Sequence, residues 1–426
     1  MILACLVIAV VVLLLLRIPV AFALMLPSLA YVVLSEGITL GIATQRATNG
    51  LESPHLLAIP LFIMTGYLAN VTGIAERLFR FLTGLFGPVR GSLGYVNVAS
   101  SVIFSWMSGA AIADAAGLGA VLVPAMRRRG YPESFALGLT GASAMIGPIM
   151  PPSIPAIVYA VTAGVSIGAL FAAGVVPALL LAVVLCIYVW VYVRRRPDLA
   201  PDVGTREGFV RATLAALPVL GAPVIILGGI LGGVFTPTEA AAAAVVYTFL
   251  LGAAYRSMSL TGCYQVLLGT ARTTGSIMLI VAAASLFGWI TAREQAPQIV
   301  AQTILGVTDN PYVFLLLVNV FLLLVGMLLE PVSALLITVP VLLPAAVYFN
   351  ISPLHLGVVM ILNLVIGLLT PPVGLVLYVL GAVSGAPFSR VVRGVLPFLI
   401  VLLITLLLVT FVPAISLWLP RALGVG

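Results

Sequence analysis

The chain has 426 residues, of which 62% are hydrophobic and only 7% charged. A soluble domain carries about 25% charged residues, so a water-soluble enzyme is excluded and a polytopic α-helical membrane protein is expected. The formal net charge is +7, and every basic residue is arginine, placed between apolar runs where it serves topology better than nucleic-acid binding.

Cys5, Cys186 and Cys263 lie far apart, in or beside apolar segments, and suggest neither a disulfide framework nor a zinc site. His55 and His355 are single, without a second ligand at a useful spacing. Residues 1–16 are apolar but lack a basic n-region and an A-x-A site, which argues for a span over a cleavable leader.

In chain order, apolar runs at 1–16 and 18–34 join at Arg17-Ile18-Pro19, and the more polar 36–54 reads as an interfacial arm. Residues 56–71 span the membrane, and 74–86 are amphipathic with Arg77 and Arg80. Residues 95–107 and 112–126 are short for a bilayer of roughly 30 Å. The small residues Ser108 to Ala111 between them predict a re-entrant hairpin. The stretch from Thr140 to Tyr159 follows, TGASAMIGPIMPPSIPAIVY, and its prolines forbid a continuous helix although its flanks are apolar. Unwound backbone at membrane depth is tolerated only where protein buries it or where it lines a cavity.

A span at 167–193 leads to the polar stretch 194–211, read as the linker between two halves. Spans at 212–234 and 238–255 join at Phe235-Thr236-Pro237, where Thr236 or Thr238 caps the second and Glu239 is its helix-start acid. A second amphipathic arm at 258–274 precedes a span at 277–291. A second hairpin follows, 311–325 and 332–348 around 326–331, then a second broken helix, NLVIGLLTPPVGLVLY at 363–378, and a final span at 395–417. The domain reading is a scaffold with arm at 1–90, a first core unit at 91–165, central helices and second arm at 166–310, a second core unit at 311–384 and a terminal helix at 385–426.

If Arg127-Arg128-Arg129 is cytoplasmic, alternation puts sixteen of the nineteen arginines inside and only Arg46, Arg293 and Arg421 outside. Both termini then face outward, and the two hairpins enter from opposite sides. Pro124 and Pro344, Met107 and Met327, Gly147 and Gly367, Pro151 and Pro371, and Pro152 and Pro372 all share an offset of 220. Inverted repeats with paired broken helices point to a carrier with a midplane site.

Four stretches carry a family resemblance: Ser108-Gly109-Ala110-Ala111-Ile112-Ala113-Asp114, the run from Ile146 to Pro155, Phe235 to Ala240, and Thr370-Pro371-Pro372. Together they resemble the large membrane subunit of the TRAP (tripartite ATP-independent periplasmic) transporters, along essentially the whole chain. The family's usual first tip reads Ser-Gly-Ser, and Ala110 replaces the second serine. The resemblance implies an all-α elevator-type fold in a bacterial inner membrane and Na⁺-coupled import of carboxylates. It also implies a small four-helix membrane subunit and a soluble periplasmic substrate-binding protein as partners.

Residue chemistry fits a hard cation. Tips and unwound helices expose carbonyl oxygens, so Ser108, Gly109, Gly147 and Pro148 are expected in one Na⁺ cage, with hydroxyls from Ser105 and Ser143. The mirror cage draws on Met327, Glu330, Gly367 and Thr370, with Ser333 and Asn363 nearby. Helix N-termini at the tips offer amides to a substrate carboxylate, which adds Ala110, Asp114, Pro151, Pro152 and Pro371 to the expected substrate contacts. The bland reading is small-residue helix packing for the glycines and serines, and a first-turn capping role for Asp114. Trp106, Tyr159 and Tyr378 read as packing or interface residues.

Rival readings are a stand-alone dicarboxylate or citrate symporter, an intramembrane hydrolase and a passive channel. No P-loop supports ATP hydrolysis, and neither a nucleophile–base pair nor HExxH appears in the spans.

Overall fold

The computed structural model describes residues 2–35, 38–199, 206–306 and 308–425. Every regular element among them is helical. The chain opens with α1 (Ile2–Leu15) and α2 (Val20–Leu34), then α3 (Leu40–Asn49) within the expected polar arm and α4 (Ala58–Val71). Helix α5 (Ile74–Phe86) is the predicted amphipathic segment. It buries Ile74, Ala75, Leu78 and Leu82 on one face, while Glu76 and Arg80 pair at 3.4 Å on the exposed side.

The first hairpin consists of α6 (Ser92–Ser108) and α7 (Ala111–Arg128), and the broken helix follows as α8 (Glu133–Ala144) and α9 (Ile154–Ala163). Next come α10 (Ile167–Arg194), α11 (Arg206–Leu231), α12 (Pro237–Ala254) and α13 (Leu260–Arg293). Part of the predicted linker, residues 200–205, lies outside the described residues. After α14 (Ala296–Leu305), the second hairpin is α15 (Pro311–Gly326) and α16 (Pro331–Tyr348). The second broken helix is α17 (Pro353–Gly367) and α18 (Leu375–Ser384), and α19 (Phe388–Phe411) and α20 (Ala414–Ala422) complete the chain. Among the described residues, seven helices are long and apolar enough to cross a membrane.

Three expectations differ from this architecture. The second arm and the span after it are one continuous helix, α13, of 34 residues. Gly262, Gly269 and Gly275 punctuate the stretch without a proline, and glycine alone does not end a helix that packs along its length. The final span begins earlier than expected, directly after Pro387, and ends at Val412-Pro413, where the chain turns into α20. Helix α14 was not foreseen. At the start of α12, by contrast, the predicted cap is present as a capping box: the Thr236 hydroxyl accepts from the Glu239 amide at 3.3 Å, and the Glu239 carboxylate accepts from the Thr236 amide at 2.8 Å.

The two core units exchange elements. Helix α9, from the first broken helix, packs on α16 of the second hairpin, and α18, from the second, packs on α7 of the first. The hydroxyl of the fully buried Tyr159 donates to the Pro353 carbonyl at 2.6 Å, and Gly357 leaves room for its ring. Tyr159 is thus a packing residue, as expected. Around this centre, α5 braces α6, and α13 runs against α16 as well as α2, α3 and α4. These contacts bring both hairpin tips and both helix breaks to the middle of the protein.

Candidate functional site

Between Ala144 and Ile154 the chain makes turns instead of helix, because Pro148, Pro151 and Pro152 withdraw three amide donors within five residues. Ser153 stabilises the restart: its hydroxyl donates to the Pro148 carbonyl and accepts from the Ala156 amide, the latter at 3.1 Å. The Pro151–Pro152 peptide is cis, and so is Pro371–Pro372. The first hairpin tip docks on this break. Gly109 has φ +61° and a side chain there would run into the Pro152 carbonyl, so both its conformation and its contact require glycine.

Asp114 ties tip to break. It is fully buried, and its Oδ1 accepts from the Ser108 hydroxyl. Its Oδ2 has no hydrogen-bond partner among the described residues and lies where a side chain on Gly147 would sit. Asp114, expected at the substrate, therefore lies with Ser108, Gly109, Gly147 and Pro148, which the structure does bring together. Ser143 is held one layer deeper. Its Oγ lies 2.8 Å from both Ser101 Oγ and Asn97 Oδ1, and Asn97 donates to Thr140 Oγ1 at 2.7 Å. Ser105 donates at 2.7 Å to the Val102 carbonyl of its own helix, one turn before the tip.

The second half-site repeats the backbone and changes the side chains. Gly367 and Gly326 pack backbone to backbone where α17 crosses α15; a Cβ on Gly367 would collide with the Gly326 backbone, and one on Gly326 would be tight against Leu364 and Gly367. Asn363 donates to Asn319 Oδ1 at 2.8 Å and to its carbonyl at 3.0 Å, and Asn319 donates to Thr410 Oγ1 at 2.9 Å. Asn363 Oδ1 is buried without a hydrogen-bond partner among the described residues. Thr370 donates to the Ile366 carbonyl at 2.8 Å, and Met327 closes the end of α15 through its amide, which donates to the Leu323 carbonyl at 3.1 Å. Ser333 donates to Glu330 Oε1 at 3.1 Å.

Asn97 and Asn319 were missed in the sequence. Each is a lone amide within the entering arm of a hairpin, and each reaches the broken helix at the residue pair Ser143 and Asn363, which share the offset of 220. An intramembrane amide recurring at nearly the repeat distance was the available signal.

A cavity of about 500 Å³ lies between the tips. Ser108, Ala110 and Ala111 of the first hairpin, Glu330 of the second, and Pro148 and Leu368 of the two breaks all line it. The surrounding helices contribute Tyr67 and Asn70 from α4 and Thr273 from α13, with Tyr67 and Thr273 hydroxyls 3.0 Å apart. Pro151, Pro152 and Pro371, expected as substrate contacts, are not among its wall residues and lie in the turns of the two breaks. Among the described residues no cluster of three His, Cys, Asp or Glu could hold a transition metal.

Residues 7–415 match the family described as the tripartite ATP-independent periplasmic transporter, DctM component. The chain belongs to that family. As a DctM component it is a transporter subunit, a multi-pass membrane protein and not an enzyme. The sialic acid TRAP transporter large permease protein SiaM of Vibrio cholerae is 45% identical over 96% of this chain and 96% of its own length. The C4-dicarboxylate TRAP transporter large permease protein DctM of Pseudomonas aeruginosa is 38% identical over 88% of each chain. The solved YdaH transporter of Alcanivorax borkumensis shares the fold, with a TM-score of 0.62 over 95% of this DctM chain and 98% of its own, at 14% identity.

Proposed function

We propose that this subunit carries an organic acid into the cell across the bacterial inner membrane, coupled to Na⁺, by an elevator movement of the two hairpins and broken helices against the surrounding arms. One observation carries the coupling. Each half-site holds a buried side-chain oxygen without a donor, Asp114 Oδ2 in the first and Asn363 Oδ1 in the second. Buried polar atoms are almost always satisfied, and an orphaned carboxylate oxygen is especially costly. A Na⁺ bound at each break would complete both. In this reading Asp114, Ser108 and the carbonyls around Gly147 and Pro148 hold one ion. Asn363, Thr370 and the backbone at Met327 and Gly367 hold the other, with Ser105, Ser143 and Ser333 supporting from behind.

The organic-acid substrate follows from the relatives, whose names specify sialic acid, C4-dicarboxylates and 2,3-diketo-L-gulonate. The amide-rich start of α7 at the cavity suits a carboxylate. A small four-helix membrane subunit and a periplasmic binding protein complete the assembly. The permease SiaT of Haemophilus influenzae is 36% identical, and this chain spans 66% of it, which leaves length for a fused small subunit.

The test is uptake in proteoliposomes with the binding protein present, across a Na⁺ series. Uptake should vanish in choline chloride; uptake that runs equally well there would replace sodium with proton coupling. The orientation is checked separately. A cysteine in the 194–211 linker should resist impermeant thiol reagents in intact cells, as both termini periplasmic requires.

A further inference from the structure

Among the described residues that line the cavity, Glu330 is the only Asp or Glu, and no arginine or histidine joins it there. It stands immediately before Pro331 at the start of α16, a position where a side chain commonly accepts from backbone amides of the first turn. Glu330 makes no such cap. Its Oε1 accepts from the Ser333 hydroxyl, and among the described residues no hydrogen bond engages Oε2. The side chain is therefore not consumed by capping its helix.

The wall built by the first hairpin has the opposite character. Ala110 precedes α7 and cannot cap it; its own amide donates to the Ser108 hydroxyl at 3.4 Å, and among the described residues no side chain caps the amides that open the helix. The cavity thus has a donor-rich wall and an acidic wall, with the Tyr67 and Thr273 hydroxyls and the Asn70 amide between helices that pack around it.

We propose that Glu330 determines specificity: it selects a monocarboxylate whose other end carries hydrogen-bond donors, such as hydroxyl or amide groups, and it rejects a second carboxylate. The inference rests on the organic-acid carrier reading above and narrows its substrate class. The amides of α7 take the single carboxylate, and Glu330 accepts from the hydroxylated end. A diacid long enough to reach both walls would set carboxylate against carboxylate. At an effective dielectric near 20, that repulsion corresponds to a preference on the order of a hundredfold. The volume of about 500 Å³ also suits a polyhydroxylated acid better than a four-carbon diacid.

The experiment uses the chain with its small membrane subunit in nanodiscs, in NaCl. Equilibrium binding of radiolabelled N-acetylneuraminate and gluconate is compared with that of succinate. At least one hydroxylated monocarboxylate should bind on the order of a hundredfold tighter than succinate. Glu330→Gln should shrink that ratio by about tenfold or more, since a charged acceptor becomes a neutral amide. Glu330→Asp retains the charge and should still reject succinate, which keeps the comparison informative if the Gln variant does not assemble. Equal affinity for succinate in the wild type overturns the proposal and would mean that a bound cation neutralises Glu330. An unchanged ratio in Glu330→Gln overturns it as well. Binding of none of the three probes would contradict the organic-acid reading itself.

Discussion

The first half-site places a carboxylate beside its broken helix, whereas the second places a carboxamide. Asp114 reaches across from the hairpin to lie under Gly147, and Asn363 projects from the broken helix itself. The acid of the second hairpin, Glu330, faces the cavity instead of the break. The repeat has therefore kept the backbone device, a glycine and a cis prolyl pair at an offset of 220, while placing its acid at the break in the first half and at the cavity in the second. A charged ligand binds a cation more strongly than a neutral one, so the two half-sites should differ in cation affinity. That difference can be tested by breaking each half in turn.

The largest effect is expected from Gly147→Leu. The new side chain would meet the Asp114 carboxylate directly and would favour helix where the chain must turn. Uptake should fall by about a hundredfold or more, the protein still inserting, as judged by membrane yield and size-exclusion profile. Gly367→Leu should be as severe, because the opposing surface is the Gly326 backbone, which cannot rotate away. Asp114→Asn comes next. It keeps the shape, removes the charge and should weaken Na⁺ activation by about ten- to hundredfold. Normal Na⁺ dependence in that variant would remove Asp114 from the site.

Asn363→Ala should act more weakly, severalfold on Na⁺ activation, since a neutral oxygen is lost along with the bonds to Asn319. Equal losses in Asp114→Asn and Asn363→Ala would erase the proposed asymmetry. Thr370→Val is smaller again. Its hydroxyl already donates to the Ile366 carbonyl, and removing one neutral hydrogen-bonding group costs about 1 kcal/mol. Na⁺ activation should shift a few-fold at unchanged maximal uptake. The smallest effect belongs to Tyr159→Phe, which leaves both half-sites intact and removes only the bond to Pro353. It should lower the melting temperature slightly without moving the Na⁺ midpoint.

Much of this was legible in the chain because prolines and glycines act locally. Pro148, Pro151 and Pro152 cannot continue a helix in any tertiary setting, so the breaks were readable from one sequence. The capping box at Thr236 and Glu239 was legible for the same reason, since partners three residues apart meet wherever a helix starts. The extent of α13 was not. Whether glycine-containing polar and apolar segments form one helix or two depends on what packs along them, and α2, α3, α4 and α16 supply that support.

By itself, then, the sequence determined the membrane class, the hairpins, the two breaks and their repeat, through composition and backbone stereochemistry. The tertiary structure decided which residues meet. Asp114 is near Ser108 along the chain but joins Gly147 only because the tip docks on the break. Asn97 and Asn319 gained their meaning from partners more than forty residues away. Pro151, Pro152 and Pro371 lie in the turns of the breaks and not among the residues that line the cavity, and Glu330 lines it. Distance along a chain says little about such contacts. They form where apolar helices pack closely enough to enclose a few polar atoms, and each enclosed atom must then find its partner or its ion.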